Sequence, residues 1–369
     1  MESPAAPVEV ALGERSYPIH IGEGLLEAAG AVLRPHLRGR RALIVQDEAV
    51  AAPWGRILYR EVAEDVAHLA VCAVPQGEPT KSPHHLKRVW DALAAERIGR
   101  DGVLLALGGG VVGDLAGFAA ATWHRGIDYL QIPTTLLAMV DSSVGGKTGI
   151  NHESGKNLVG AFWQPRAVLI DPRALRTLPA REVRSGLAEV VKYGVIADAE
   201  FFRWLESSGP ALLSGEDGAL ARAIRRSCEL KAEVVAGDER EAGRREILNF
   251  GHTIGHAVEA LGQYGRFRHG EAVAIGMAAE GRMALKLGLG WTPSDQDRLE
   301  LLLTALGLPA TLGAAGWRAD DIIQAARADK KARAGSIRYS LPEAMGRCGF
   351  GHAVPDDTAA AVLREIGAA

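Results

Sequence analysis

The sequence predicts two domains of different fold class: an α/β domain with a mostly parallel, Rossmann-like sheet over residues 1–180, and an all-α domain over residues 181–369. Two observations carry this prediction. Short hydrophobic runs alternate with helical segments in the first half, which is typical of βαβ units. After Pro179 the β-type runs nearly vanish and long helical patterns follow. A length of 369 residues suits two domains of ordinary size.

The elements of the first half follow from hydrophobic runs that end in turn-forming residues. The run Ala42-Leu43-Ile44-Val45, for example, ends at Asp47, and a helical pattern covers residues 82–96. We expect strands over residues 42–45, 70–74, 103–107, 129–133 and 167–170.

The second half shows apolar residues that recur three and four positions apart. Leu187, Val191 and Val195 form such a stripe, which predicts a helix around them. Residues 337–341 are expected to return as a short strand. A cofactor or substrate site in the cleft between the two domains is the expected arrangement. Further helices are predicted over residues 217–237, 252–262, 271–288 and 294–306.

A glycine-rich turn follows the predicted strand 103–107. Gly108, Gly110 and Gly113 have the spacing G-x-G-x-x-G, and the residues beyond them are compatible with a helix. Glycine lets a backbone approach a ligand closely, and a helix N-terminus attracts a pyrophosphate. The motif favours dinucleotide binding, although a tight packing turn in an α/β domain would show the same spacing.

Composition narrows the class of protein. Hydrophobic residues make up 47% of the chain, which is enough for a large core. The net charge of −3 gives no reason to expect nucleic acid or an anionic membrane as a partner, and no apolar run is long enough to span a bilayer. Cys72, Cys228 and Cys348 form no C-x-x-C pair, and the N-terminus lacks a signal-peptide pattern. We therefore expect a cytoplasmic protein with reduced thiols.

The helical half contains residues that can bind a metal ion. His252 and His256 lie four residues apart, so they share one helix face, and His269 follows shortly after. Zinc sites often combine two histidines with a carboxylate, for which Glu189 is a candidate. The pattern lacks the glutamate of H-E-x-x-H, which argues against a metalloprotease. Ordinary helix histidines and a solvated Glu189–Lys192 pair are the alternatives.

Several lysines lie where anions could bind. Lys231 falls on the apolar face of its helix, where an ammonium must snorkel or reach a polar group. Lys147, Lys156 and Lys330 lie in polar or glycine-rich turns, which can cradle phosphate but are more often solvated. The spacing before Lys147 lacks the first glycine of a P-loop, so that motif is excluded.

Long, ordered motifs in the chain resemble the 3-dehydroquinate synthase family of the sugar-phosphate cyclases. They extend from about residue 40 to about residue 345. The resemblance implies an NAD-dependent, zinc- or cobalt-dependent homodimer, a lyase that converts 3-deoxy-D-arabino-heptulosonate 7-phosphate to 3-dehydroquinate and phosphate. The implied steps are transient oxidation by NAD, β-elimination, reduction and aldol closure. The matching runs are GGGVVGDLAGFAAATWHRG, PTTLLAMVDSSVGGKTGIN, GKNLVGAFWQP, TLPAREVRSGLAEVVKYG, LNFGHTIGHAVE and HGEAVAIGM.

The resemblance also implies roles for residues at the metal and the substrate. It assigns the metal to Glu189, His252 and His269, so His256 becomes a catalytic histidine beside the substrate instead of a ligand. Arg125 matches an arginine that reaches the substrate phosphate of the neighbouring subunit. The positions that match other substrate contacts are Asp141, Lys147, Asn157, Lys192, Lys231, Arg245, Asn249 and Lys330.

The NAD site implied by the resemblance lies in the first half of the chain. Ala49 stands where the family often has asparagine, and Ala174 replaces a larger residue expected near the adenine. Both changes concern the affinity for NAD and not the identity of the cofactor. The positions assigned to NAD are Asp47, Glu78, Lys81, Gly110, Asp114, Thr134, Thr135, Asp141, Lys147, Lys156 and Thr177.

Two rival functions belong to related enzymes. Another sugar-phosphate cyclase, making an inosose or a valiolone, would usually alter the Gly-Gly-Lys or Gly-Lys-Asn loop, and both loops are intact here. A metal-dependent NAD alcohol dehydrogenase of related fold would not need so many phosphate-binding cations. The fold alone cannot separate these classes.

Overall fold

The computed structural model of the chain describes residues 6–329 and 337–369. The chain divides into two compact units. The first contains the residues up to Pro179 together with Asp217–Glu239, and the second contains Ala180–Glu216 and the residues from Arg240 onward. The predicted division at residue 180 assigns Asp217–Glu239 to the second domain, whereas the structure packs this segment with the first unit.

The first unit is built on one sheet and one separate hairpin. Its strands are β1 (Val8–Val10), β2 (Tyr17–Ile21), β3 (Arg41–Asp47), β4 (His68–Val74), β5 (Val103–Gly108), β6 (Asp128–Pro133), β7 (Lys147–His152), β8 (Gly155–Phe162) and β9 (Val168–Ile170).

The strand order of the sheet is β1-β2-β9-β6-β5-β3-β4. All neighbours in it are parallel except β1 and β2, while β7 and β8 form the antiparallel hairpin. The five strands predicted from hydrophobic runs are β3, β4, β5, β6 and β9. The β5 and β9 strands are buried along their whole length, as expected of parallel strands covered on both faces.

The helices complete the first unit and form most of the second. In the first unit, the helix Asp217–Gly237 packs against β1 and against the turn at Ala138–Ser142. In chain order the helices are α1 (Ala29–Leu37), α2 (Glu48–Val50), α3 (Arg56–Val62), α4 (Pro83–Ala95), α5 (Gly110–Thr122), α6 (Ala180–Ala197), α7 (Ala199–Ser214), α8 (Asp217–Gly237), α9 (His252–Leu261), α10 (His269–Leu287), α11 (Pro293–Ala305), α12 (Ala319–Asp329) and α13 (Asp356–Glu365).

In its described residues, the second unit consists of helices and one two-stranded sheet. Its core includes the closely packed pair α9 and α10. The strand expected at residues 337–341 is β10 (Tyr339–Ala344), which pairs with β11 (Arg347–His352) in an antiparallel hairpin. Within the described ranges, no helix is both long and apolar enough to cross a membrane.

Candidate functional site

Three predicted metal ligands converge in the second unit. Glu189 lies in the middle of α6, His252 is the first residue of α9, and His269 is the first residue of α10. Their ligand atoms all lie within 4.8 Å of one another. The Oε1 atom of Glu189 is 3.5 Å from His252 Nε2 and 3.8 Å from His269 Nε2. Three separate helices thus direct one side chain each to a single point.

The carboxylate of Glu189 is fully buried, and its Oε1 atom accepts no hydrogen bond from the described residues. Its close charged neighbour is the ammonium of Lys192, which is itself buried. A buried carboxylate without hydrogen bonds is costly unless cations compensate it. A divalent metal ion beside Glu189 would provide such compensation, so the site fits one. The alternative of a solvated Glu189–Lys192 pair is wrong, because the pair forms in the protein interior.

The two candidate histidine ligands are oriented by hydrogen bonds at Nδ1. His252 Nδ1 lies 3.1 Å from the carbonyl oxygen of Phe250, to which it can donate. His269 Nδ1 lies 3.0 Å from a carboxylate oxygen of Glu259. These bonds leave each Nε2 directed towards Glu189, an arrangement typical of metal-binding histidines. Burial, reinforced by Lys192 and the neighbouring histidines, lowers the pKa of His252 well below its ordinary value, which favours the neutral form that binds metals.

The third imidazole ring of this cluster belongs to His256. Its ring centroid lies 5.4 Å from that of His252 and 6.1 Å from that of His269. His256, Glu259 and His269 form a second group whose ligand atoms lie within 4.8 Å of one another. In that group Glu259 already accepts the His269 Nδ1 contact, so the group with Glu189 is the better candidate for a metal ion.

The other predicted substrate residues of the second unit lie near the start of α9. Arg245 is almost fully buried in the 3₁₀ segment Arg244–Asn249. Asn249 donates a hydrogen bond from Nδ2 to Glu241 Oε1 over 3.1 Å. Lys330 lies outside the described residues.

In the first unit, α8 brings Lys231 to Asp141. The Nζ atom of Lys231 donates to the Asp141 carbonyl oxygen over 2.6 Å and to its carboxylate over 2.7 Å. This pair explains how a lysine is accommodated on the apolar face of a helix. Lys147 is an exposed residue at the start of β7. A strand therefore follows the glycines before it, whereas a helix follows the glycines of a P-loop.

A hydrogen-bond network in the first unit joins four of the predicted NAD and substrate residues. Lys81 is buried, and its ammonium donates to Asp114 Oδ2 over 2.6 Å and also to Asn157 Oδ1. Burial raises the pKa of Asp114, and the charge of Lys81 opposes that rise. Glu78 accepts a hydrogen bond from Asn151 Nδ2 over 2.7 Å. The network attaches the hairpin β7–β8 to the turn before α4.

Three predicted NAD residues follow adjacent strands of the sheet. Asp47 ends β3, Gly110 follows β5, and Thr134 follows β6. The carboxyl ends of adjacent parallel strands are where α/β sheets usually bind ligands. Burial raises the pKa of Asp47, whose Oδ1 accepts a 2.8 Å hydrogen bond from Ala49 N. The Thr134 hydroxyl is buried without a hydrogen-bond partner in the described chain, and a bound cofactor can supply one.

The remaining predicted residues of the first unit take part in local structure. Thr135 Oγ1 accepts a 3.2 Å hydrogen bond from Ala138 N, and Thr177 Oγ1 accepts one of 2.8 Å from Trp54 Nε1. Lys156 is half-buried on β8. Arg125 is exposed on the turn after α5 and has a φ of 69°.

Packing explains part of the glycine-rich turn. A Cβ atom at Gly108 would lie 2.7 Å from Val112, and one at Gly113 would lie 2.8 Å from the Gln131 side chain. At Gly110 it would meet the Ser142 hydroxyl at 2.9 Å. The glycines are therefore required by neighbouring protein atoms, and their spacing alone does not identify a nucleotide site.

Sequence reasoning did not select two carboxylates that support the metal candidates. Glu259 contacts His269, and Glu280 accepts hydrogen bonds at the start of α9. A signal for Glu259 exists in the sequence. It follows His252 by seven residues and His256 by three, so it shares their helix face. Glu280 has no such local signal.

Known proteins resemble the chain over most of its length. Residues 71–185 match the family described as 3-dehydroquinate synthase N-terminal, and residues 186–332 match 3-dehydroquinate synthase C-terminal. A 3-dehydroquinate synthase from Rhodospirillum rubrum is 52% identical over 344 residues, which cover 92% of this chain and 89% of that protein.

Solved structures of two cyclases share the fold. The 2-epi-5-epi-valiolone synthase of Streptomyces hygroscopicus subsp. jinggangensis 5008, with NAD+ and Zn2+ bound, is 34% identical with a TM-score of 0.87, and the match covers 96% of this chain and 98% of that one. A 2-deoxy-scyllo-inosose synthase complexed with carbaglucose-6-phosphate, NAD+ and Co2+ is 26% identical with a TM-score of 0.88, over 97% and 99% of the two chains.

Proposed function

Because the chain belongs to the 3-dehydroquinate synthase family, we propose that Glu189, His252 and His269 hold the divalent metal ion of that reaction, either zinc or cobalt. The enzyme is an NAD- and metal-dependent cyclase that converts 3-deoxy-D-arabino-heptulosonate 7-phosphate to 3-dehydroquinate and phosphate. The observation that carries the residue assignment is the convergence of three ligand atoms from three helices, one of them on the fully buried carboxylate of Glu189.

The cofactors supply the chemistry that side chains cannot perform. When bound, the metal ion polarises a substrate oxygen as a Lewis acid, and NAD exchanges a hydride with the substrate twice, without net redox change. Glu259 holds the Nδ1 proton of His269, and the Phe250 carbonyl does the same for His252, so both rings keep the tautomer that leaves Nε2 available.

The basic residues of the chain bind the anionic groups of the substrate. Lys147 and Arg245, together with Lys231 held by Asp141, provide charge for phosphate and carboxylate groups. We assign a proton-transfer role to His256, because it adjoins the metal candidates and a neutral imidazole exchanges protons efficiently near pH 7. Asn157, Asn249 and Lys330 are proposed as further substrate contacts.

We propose that NAD binds at the carboxyl ends of β3, β5 and β6 in the first unit. The buried Thr134 hydroxyl, which has no partner in the described residues, supports this assignment. The Lys81–Asp114 pair lies in the network that holds the β7–β8 hairpin and provides polar groups for the cofactor. The complete set proposed for NAD is Asp47, Glu78, Lys81, Gly110, Asp114, Thr134, Thr135, Asp141, Lys147, Lys156 and Thr177.

We further propose that the enzyme acts in the cytoplasm as a homodimer, with Arg125 reaching the substrate phosphate of the partner subunit. The exposure of Arg125 on a turn is compatible with that role. A planar guanidinium is well suited to bidentate phosphate binding.

The reaction product provides the test of function. We would incubate the purified protein with 3-deoxy-D-arabino-heptulosonate 7-phosphate, NAD and zinc, and identify the ring product by NMR. We expect 3-dehydroquinate, one phosphate per turnover and no accumulation of NADH, because oxidation and reduction occur on the same molecule. Stoichiometric NADH would instead support a dehydrogenase. Failure with this substrate, but turnover of another sugar phosphate, would support a different cyclase.

A further inference from the structure

Glu280 is a fully buried carboxylate of α10 that binds the N-terminus of another helix, α9. Its Oε2 accepts a 2.6 Å hydrogen bond from Gly251 N, and its Oε1 accepts a 3.0 Å bond from Ile254 N. Helix N-termini have amide groups without partners inside the helix, and a negative charge there is favourable. Gly251, which precedes α9, has no side chain to cap it. Glu280 therefore acts as the cap of α9 from outside that helix.

Close contact between the two helices makes this possible. A Cβ atom at Gly276 would lie 1.8 Å from the carbonyl oxygen of Gly251, so the backbones touch at that point. Gly251 itself adopts a left-handed conformation with a φ of 80°, which glycine tolerates best. Gly276 and Glu280 are four residues apart and share the face of α10 that meets the start of α9.

The two helices that Glu280 connects, α9 and α10, each begin with a candidate metal ligand. His252 directly follows Gly251, and His269 begins the helix that contains Glu280. Without the carboxylate, the buried amides of Gly251 and Ile254 would lose these partners, which is costly in a protein interior. The start of α9 would then have to move to satisfy them, and His252 would move with it.

We infer that Glu280 is a positioning residue that sets the separation of His252 and His269 and thereby the affinity for the metal ion. This inference rests on the proposed metal site. Glu280 acts through the backbone of α9.

The test compares Glu280→Gln and Glu280→Ala with the wild-type enzyme. Zinc dissociation constants are measured by competition with a chromophoric chelator, and the geometry of the site is followed by the visible absorption spectrum of the cobalt-loaded protein. We expect zinc affinity to fall about 10-fold for the glutamine variant, whose amide oxygen keeps one acceptor, and about 100-fold for the alanine variant. We also expect both cobalt spectra to change.

The control is Leu299→Ala, which removes a fully buried side chain of α11 and destabilises the unit without altering the start of α9. It should lower the melting temperature but preserve the zinc affinity and the cobalt spectrum. Wild-type zinc affinity in Glu280→Ala, or an equal loss in Leu299→Ala, would overturn the inference. If Glu280→Ala does not fold, the near-isosteric Glu280→Gln decides by the same criteria. If the wild-type protein itself binds no zinc, the proposed metal site fails instead.

Discussion

The two units place their candidate functional residues on different kinds of element. In the first unit these residues lie at strand ends and turns, as Asp47, Lys81 and Thr134 do. In the second unit the candidate ligands belong to helices, with Glu189 in the middle of one and His252 at the start of another. A parallel sheet gathers residues at one edge through its topology alone. A helical unit gathers them only when several helices pack correctly.

The contacts that hold the candidate residues in place also differ between the two units, in how far they are buried. In the first unit, Lys81, Asp114 and Asn157 hold one another through side-chain hydrogen bonds, and part of this network is exposed to solvent. In the second unit, Glu189 is completely buried, and the candidate ligands His252 and His269 beside it are held by contacts to the Phe250 carbonyl and to Glu259. We therefore expect substitutions in the second unit to cause larger losses than comparable substitutions in the first.

Replacing a metal ligand should give the largest effect. We expect Glu189→Gln, His252→Ala and His269→Ala each to reduce metal affinity by more than about 100-fold, beyond the usual effect of an outer contact. His256→Ala should keep the metal and lose rate. Metal content per subunit, measured by mass spectrometry beside activity, separates these cases. His352→Ala in β11 is the control histidine. A metal-free His256→Ala protein and a metal-loaded His269→Ala protein would reverse the assignment.

Subunit exchange between two inactive variants of the first unit tests whether Arg125 acts in the substrate site of the partner subunit. We expect Arg125→Ala and Lys147→Ala to be inactive separately. When equal amounts exchange subunits, half of the dimers are mixed and each mixed dimer has one intact site, so activity should return to about a quarter of wild type. Exchange is verified with differently tagged subunits. If no activity returns after verified exchange, Arg125 does not act in the partner's site.

Glu259→Gln tests how strongly zinc affinity in the second unit depends on a carboxylate that contacts a candidate ligand and is not itself a candidate ligand. The amide cannot hold the His269 Nδ1 proton as the carboxylate does, so we expect zinc affinity to fall about 10- to 100-fold. Glu206→Gln, which removes a carboxylate paired with Arg298 elsewhere in the unit, is the control. Equal zinc affinities for Glu259→Gln and Glu206→Gln would show that His269 needs no such support.

Lys81→Met is the corresponding test in the first unit. The variant removes the charged donor to Asp114 and Asn157, and a charged hydrogen bond contributes about 1.5–3 kcal/mol. We expect the dissociation constant of NAD to rise about 10- to 100-fold in calorimetry. Lys87→Met, which removes an exposed lysine paired with Asp91 on α4, should bind NAD normally. Unchanged NAD binding by Lys81→Met would show that this network is not part of the cofactor site.

The smallest effect is expected at Ala49. Ala49 is exposed beside Asp47, so Ala49→Asn can restore the hydrogen-bonding group often found in the family without a clash. One additional hydrogen bond contributes about 0.5–1.5 kcal/mol, which corresponds to about 2- to 10-fold tighter NAD binding. Ala52→Asn, at another exposed alanine, is the control. Weaker binding by Ala49→Asn would show that this chain excludes a larger side chain there.

Hydrophobic patterns are sufficient to predict the buried strands but not the polar strands. The runs at β3, β5 and β9 are nearly continuous because these strands are buried, and the sequence predicts all three. The sequence around Lys147 and Lys156 predicts polar turns, either solvated or phosphate-binding, whereas the structure forms the hairpin β7–β8 there. Its residues Asn157 and Asn151 form tertiary hydrogen bonds with Lys81 and Glu78, which no local pattern encodes.

In the candidate site, too, local sequence patterns predict some features, and others depend on tertiary contacts. The resemblance to a family assigns the metal to Glu189, His252 and His269, whose ligand atoms lie together in the structure, whereas residue spacing alone allows His252 and His256 as a metal pair. The periodicity of residues 217–237 predicts α8 correctly but does not state which unit it packs against. Glu280 could not be found from the sequence, because its partner amides become neighbours only when α10 packs against α9.

The glycines of α10 have a further consequence for how the second unit folds. A Cβ atom would lie 1.8 Å from the Ser185 carbonyl oxygen at Gly270, and 2.2 Å from the Gln296 side chain at Gly281, just as one at Gly276 would collide with α9. Each interior glycine lowers helix propensity by about 0.8–1.0 kcal/mol relative to alanine. Gly276 and Gly281 therefore lower the intrinsic helix stability of α10, and packing against its neighbours offsets that loss. Because His269 begins α10, we expect the packing of this helix and the assembly of the candidate metal site to be coupled.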